Sequence, residues 1–174
     1  MWTLAALLVL GGTQTDSPYR GEQQRAIKAL SADDIAGYLA GQGMGFAKAA
    51  ELNHYPGPRH VLDLAQRLDL TDAQRQRVQA SFDRMHAEAV RLGRSVVDAE
   101  AKLEGLFREG RVDAASLDQA VAEIARLRGQ LRVAHLRAHL ETRAALTAEQ
   151  VRRYDKLRGY GGGPHEHKHH HGGH

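Results

Sequence analysis

Cysteine is absent from the 174 residues. Disulfides, thiolate metal ligation and cysteine-based catalysis are therefore excluded. Aromatic residues are scarce, at 5%. Ala, Leu, Arg, Gln and Glu dominate and β-branched residues are few, the profile of a helical chain. The net charge is +3 with histidines neutral, and acidic residues interleave with basic ones, leaving no basic stripe and no aromatic platform. Nucleic acid is thus not an expected partner. The chain also lacks a Ser-His-Asp order, a His-Glu-x-x-His run and a phosphate loop. Neither enzymatic activity nor a small-molecule substrate is expected.

No apolar run approaches the roughly 20 residues of a membrane span. Trp2 to Leu10 is shorter and is followed by Gly, Thr and Ser. It fits the hydrophobic part of an export signal, with a buried N-terminal strand or helix as the alternative. Residues 1–15 are read as that segment, 16–160 as a helical domain, and 161–174 as a disordered, low-complexity tail.

Helix starts are legible in the domain. Ser31 is placed as an N-cap, with Leu30 and Ile35 as a hydrophobic staple. Thr71 with Gln74, and Thr147 with Gln150, form capping boxes; Asp113 caps a further helix. Leu146 faces Val151 and Val112 faces Leu117 as staples, whereas Arg75 denies the first box a staple partner. From Val78 through Phe82, Met85, Ala89, Leu92, Val96, Ala99 and Leu103 to Leu106, apolar residues alternate four and three apart. That seam predicts a helix of about 36 residues, roughly 54 Å long. "REGR" at 108–111 supplies a turn, and a second seam runs from Leu117 through Ala120, Ile124, Leu127, Leu131 and Ala134 to Ala138. The two long helices form an antiparallel hairpin. Shorter helices are expected at about 58–68, after Pro56 and Pro58 break the chain, and at about 148–158. Gly37, Gly41, Gly43 and Gly45 weaken the apolar stretch before them. The fold class is all-α. The core is thin, and Val133, Leu136 and Leu140 form a second apolar stripe on the second long helix. A homodimer of four-helix type is expected, although the stripe could pack on the short helices instead.

The boxes "LTDAQ" (Leu70, Thr71, Gln74) and "LTAEQ" (Leu146, Thr147, Gln150), with the hairpin between them, resemble the repeated signature of the CpxP/Spy family. The resemblance covers about residues 50–158. It implies a hook-shaped all-helical protomer, a cradle-like dimer and a periplasmic location, with membrane anchoring left open. The family includes ATP-independent periplasmic chaperones, zinc-responsive proteins and heavy-metal-resistance sensors. The metal-sensing branch places histidines just before the first box and on the helix before the second. Here His60 and the His135/His139 pair stand about one residue from those positions.

His135 and His139 lie four apart, on one face of a helix and about 6 Å apart at their roots. Two imidazoles there can chelate Zn²⁺, Cu²⁺, Ni²⁺ or Co²⁺. Further ligands could come from His60, His54, His86, Glu51 or Glu141. The bland reading is a pair of edge histidines that bind nothing. In the tail, His165, His167, His169, His170, His171 and His174, with Glu166, form an unselective chelator. Glu, Lys and Gly interrupt the run, which favours a natural tail over an added tag. Met85 reads as core and Met44 is only a weak Cu(I) candidate. The leading expectation is an exported heavy-metal-binding protein. The rival is a refolding chaperone that holds unfolded clients, and a purely structural helical module is the third reading. Beyond a second copy, expected partners are client proteins or a membrane-bound signalling protein.

Overall fold

The computed structural model describes residues 16–160. The N-terminal apolar run and the histidine-rich tail lie outside them. The described residues form one short 3-10 turn, Glu22–Gln24, and six α-helices: α1 (Ala32–Leu39), α2 (Lys48–Glu51), α3 (Pro58–Asp63), α4 (Asp72–Arg108), α5 (Ala114–Ala145) and α6 (Ala148–Arg158). No strand occurs among them. The all-α reading holds, and α4 packs along α5 as the expected long pair.

The caps explain where the helices begin. Ser31, Thr71, Asp113 and Thr147 each accept a hydrogen bond from the third helical N–H, with the reciprocal bond also made. Each cap satisfies donors the first turn leaves orphaned. The turn between the long helices closes on Gly110 at φ 62°, a conformation glycine adopts without a Cβ penalty.

Two apolar clusters flank a polar belt. One gathers Ile27, Leu30, Tyr38, Ala89, Leu92, Val96, Leu127 and Leu131, with Met85 packed against it. There α1 crosses α4 at Gly93, where a Cβ would lie 2.0 Å from the Tyr38 carbonyl oxygen. The second cluster joins Val61, Ala65, Leu68, Leu70, Val78, Leu146, Val151 and Tyr154, so α3 and α6 cap the open end of the hairpin. Between them Ser81 donates to Glu141 at 2.6 Å and Arg84 pairs with the same carboxylate at 2.8 Å.

The regular part of the 58–68 helix is shorter than expected. After Asp63 the chain continues in turns: Ala65 N–H reaches back only three residues, to Leu62, and Leu70 N–H bonds the Ala65 carbonyl across Asp69 at φ 50°. That closure resembles a Schellman ending. It lets Leu64, Ala65, Leu68 and Leu70 all serve the same cluster. The glycine-weakened stretch divides as well, with Gly41, Met44 and Gly45 at positive φ between α1 and α2.

Candidate metal centre

The open end of the hairpin is fastened by the two Leu-Thr-x-x-Gln boxes. Gln74 Nε2 donates to Gln150 Oε1 at 2.8 Å, and Gln150 Nε2 donates to Gln74 Oε1 at 3.0 Å. Each Oε1 also accepts its own cap's N–H, from Thr71 and Thr147. The amide protons reach on to the carbonyls of Ala145 and Leu68. Leu70 and Leu146 are buried beside this exchange. The boxes therefore cap two helices and join them across 76 residues of chain.

Beside the clasp, Glu51 at the end of α2 gathers groups from four segments. Its Oε2 accepts Gly57 N–H at 3.0 Å, and its Oε1 accepts the hydroxyls of Tyr154 (2.6 Å) and Tyr160 (3.2 Å). Arg158 Nε lies 3.7 Å away and His139 Nδ1 3.8 Å away. Burial of Tyr154, then its bond to the carboxylate, pushes its phenol well above the ordinary range. The lone pairs of Glu51 are thus largely engaged by protein donors.

The histidines divide by setting. His139 Nδ1 sits 2.7 Å from the Tyr55 carbonyl. A carbonyl only accepts, so Nδ1 carries the proton and neutral Nε2 is left as a donor of electrons to a metal. Gly57, at an ordinary φ of −75°, keeps that edge clear: a Cβ there would come within 3.1 Å of His139 Cε1 and 3.2 Å of Nε2. Space explains the glycine, not backbone conformation. His54, at φ 67°, donates Nδ1–H to Asp155 Oδ2 at 2.8 Å while its side chain is 65% exposed. Asp155 Oδ1 is buried and unpartnered.

His135 does not take the edge position of the bland reading. It is buried, stacked on Phe46 at 5.9 Å between centroids, and its Nε2 has no partner. Burial, then the nearby His139 and His86, holds its pKa below the ordinary value, so it is neutral. His86 instead donates Nε2–H to the Ala40 carbonyl at 3.2 Å and stacks on Phe82. His60 is half-buried on α3, its pKa lowered by burial and then by Arg158. Val61 and Ala138, one residue from His60 and His139, fill the interior positions at this junction. Glu141 is taken by Ser81 and Arg84. Met85 packs on the core, and Met44 is exposed next to Gly37.

The fit to a metal is therefore partial. His139 offers an oriented imidazole nitrogen, and His135 a buried one behind Phe46. Among the described residues no three His, Asp or Glu side chains converge on one position that could hold an ion. The tail histidines, from His165 to His174, lie outside the described residues. Sequence reading missed the Tyr55 carbonyl, Gly57, Tyr160 and Asp155, whose roles come from contacts distant in the chain. The only local signal was a glycine held between two prolines.

No curated protein and no solved structure matches the chain. Residues 35–153 match the family described as heavy-metal resistance. That span takes in both capping boxes, Glu51 and every histidine of the described residues, and ends just before Tyr154, Arg158 and Tyr160. The chain belongs to the heavy-metal-resistance family, in its CpxP/Spy-like grouping.

Proposed function

We propose that this chain is an exported, periplasmic metal-binding protein that takes late first-row divalent ions, Zn²⁺, Cu²⁺, Ni²⁺ or Co²⁺, through its helix histidines and its histidine-rich tail. The observation that carries the reading is His139, whose Nδ1–H is committed to the Tyr55 carbonyl and whose Nε2 edge faces Gly57, where no Cβ crowds it. A backbone carbonyl on the far nitrogen is the usual way a ligand imidazole is oriented. The heavy-metal-resistance family supports the same direction. A second copy packing along Val133 and Leu140, which are 50% and 56% exposed, would cover the apolar stripe of α5.

Calorimetric titration of the four ions into the full chain and into His135→Ala/His139→Ala tests this. Loss of the tightest binding event in the double variant is the expected result. Identical isotherms would assign all metal binding to the tail and remove the folded site.

The chaperone reading has one observation of its own. An open groove of about 1100 Å³ lies between the long helices near their turn, edged by Arg91, Lys102, Arg108 and Arg126 and by Asp98, Glu109 and Glu123. Phe107 nearby is 56% exposed. In chelator, aggregation of an unfolded client that is still suppressed by the His135→Ala/His139→Ala chain would favour that reading. Suppression that needs metal would count against it.

A further inference from the structure

Two residues near α1 break local rules, and one contact explains both. Residues 43–46 make a tight turn in which Phe46 N–H donates to the Gly43 carbonyl at 2.7 Å. Met44 takes φ 41° and Gly45 φ 79°. Positive φ at both central positions is the type I′ pattern, where Gly, Asn and Asp dominate and a methionine is strained. Gly37 stands inside α1, where glycine weakens a helix. It is buried, and a Cβ there would lie 3.0 Å from Met44 Sδ and 3.3 Å from its Cγ and Cε. The absent Cβ makes a seat for the thioether, and the seated thioether offsets the strain of the turn. Two residues after Met44, the Phe46 ring stacks on His135, with centroids 5.9 Å apart. On its other side Tyr38 lies 6.3 Å away. His135 is buried, and its Nε2 has no partner.

From these observations we propose that Met44 is an oxidation-sensitive latch over His135. Conversion of its thioether to the sulfoxide frees the turn, lifts Phe46 and opens the buried imidazole. Met44 is 39% exposed and borders an open hollow of about 530 Å³, lined also by Phe46, Leu52 and Arg132, so a small oxidant reaches it. With hydrogen peroxide, the sulfur gives an electron pair to one peroxide oxygen. The S–O bond forms as the O–O bond breaks, and water leaves; sulfur is oxidised and peroxide is reduced. The product is polar where the thioether was apolar, and it is wider at the sulfur. A seat in which sulfur already stands 3.0 Å from the position of a Cβ does not hold it. Without that contact nothing offsets the strain at φ 41°, and the turn that carries Phe46 relaxes. Reduction of the sulfoxide restores the latch. Once open, His135 stands one helical turn from His139 on the same face. The consequence for metal rests on the metal-binding reading above: the opened pair takes an ion more readily than the covered one.

The test is diethyl pyrocarbonate labelling of histidines in the full chain, in chelator, before and after treatment with hydrogen peroxide. Tandem mass spectrometry reads each histidine and each methionine separately. The Met44→Leu chain is treated alongside; it keeps an apolar side chain on Gly37 and has no sulfur there to oxidise. Far-UV circular dichroism checks each fold. Met44 should oxidise before Met85, which packs against the first cluster. Labelling of His135 should then rise roughly tenfold, as the locally open population rises, while His60 on α3 is unchanged. Peroxide should leave His135 protected in Met44→Leu, and methionine sulfoxide reductases should restore protection in the native chain. A His135 that stays protected once Met44 is fully oxidised would overturn the latch. Equal opening in Met44→Leu would overturn it too. The labelling is then repeated with Zn²⁺ in place of chelator, and Zn²⁺ should shield the opened His135. Opening that Zn²⁺ does not suppress would remove the metal reading at this imidazole and leave the latch standing.

Discussion

The two ends of the α4–α5 hairpin share one sequence pattern and differ in structure. At the open end the seam is sealed: Val78 and Leu146 are buried, α3 and α6 pack across them, and the paired Gln74 and Gln150 amides fasten the helices. At the turn, Leu103, Leu106, Leu117 and Ala120 continue the same spacing but remain only partly buried. Nothing among the described residues covers them, and a groove opens instead. Periodicity sets which face a helix turns inward. What lies across that face decides how far it is buried. Of the candidate metal residues, Glu51, His54, His60 and His139 lie toward the sealed part, where a ligand's orientation can be held, while His135 and His86 lie against Phe46 and Ala40 nearer the first cluster.

Substitutions should separate the ends. Leu68→Ala, in the sealed cluster and 1% exposed, should cost about 2–5 kcal/mol, measured by urea denaturation. Glu51→Ala should cost about 1–3 kcal/mol by the same measurement, because the Tyr154 hydroxyl loses its acceptor while buried. Gln74→Ala and Gln150→Ala should each cost about 1 kcal/mol as lost caps. Their double variant should fall short of the sum, since either change already breaks the amide exchange. Full additivity would show two independent caps and no clasp.

Acid should weaken the sealed end next. The pKa values of His60 and His135 are lowered from 6.5, so the unfolded chain binds their protons first. Stability from these groups is present above pH 6.5 and is lost as pH falls through the folded values. For His135 the groups facing it are His139 and His86, both adding to the depression. Thermal melts in chelator should show Tm falling between pH 7 and 5, above the range where carboxylates such as Glu141 titrate. His135→Phe should flatten that slope. The smallest effect is expected at the turn, where Leu106→Ala should cost about 1 kcal/mol or less, because little area is withdrawn from water. A cost like that of Leu68→Ala would mean the turn end is covered by something else, such as a second copy.

Much of the fold was legible because its determinants are local. Ser31, Thr71, Asp113 and Thr147 cap as their neighbours imply, and the length of α4 follows from its seam. The site was less legible because its contacts are remote. Glu51 meets Tyr154 across 103 residues and Tyr160 across 109. The pairing of Gln74 with Gln150 left no trace beyond the repeat itself. The four-residue spacing of His135 and His139 leaves open how deep each lies, and Phe46 from the irregular stretch before α2 stacks on His135 and helps bury it. The irregular end of α3 likewise reflects the cluster it feeds, not its own helix propensity.

Amide hydrogen exchange of the full chain, with and without one equivalent of Zn²⁺, tests most directly whether the sealed end is the metal-responsive one. The account predicts added protection in residues 51–60 and 135–160, with residues 103–120 unchanged. Protection confined to the turn, or none anywhere despite bound Zn²⁺, would contradict it.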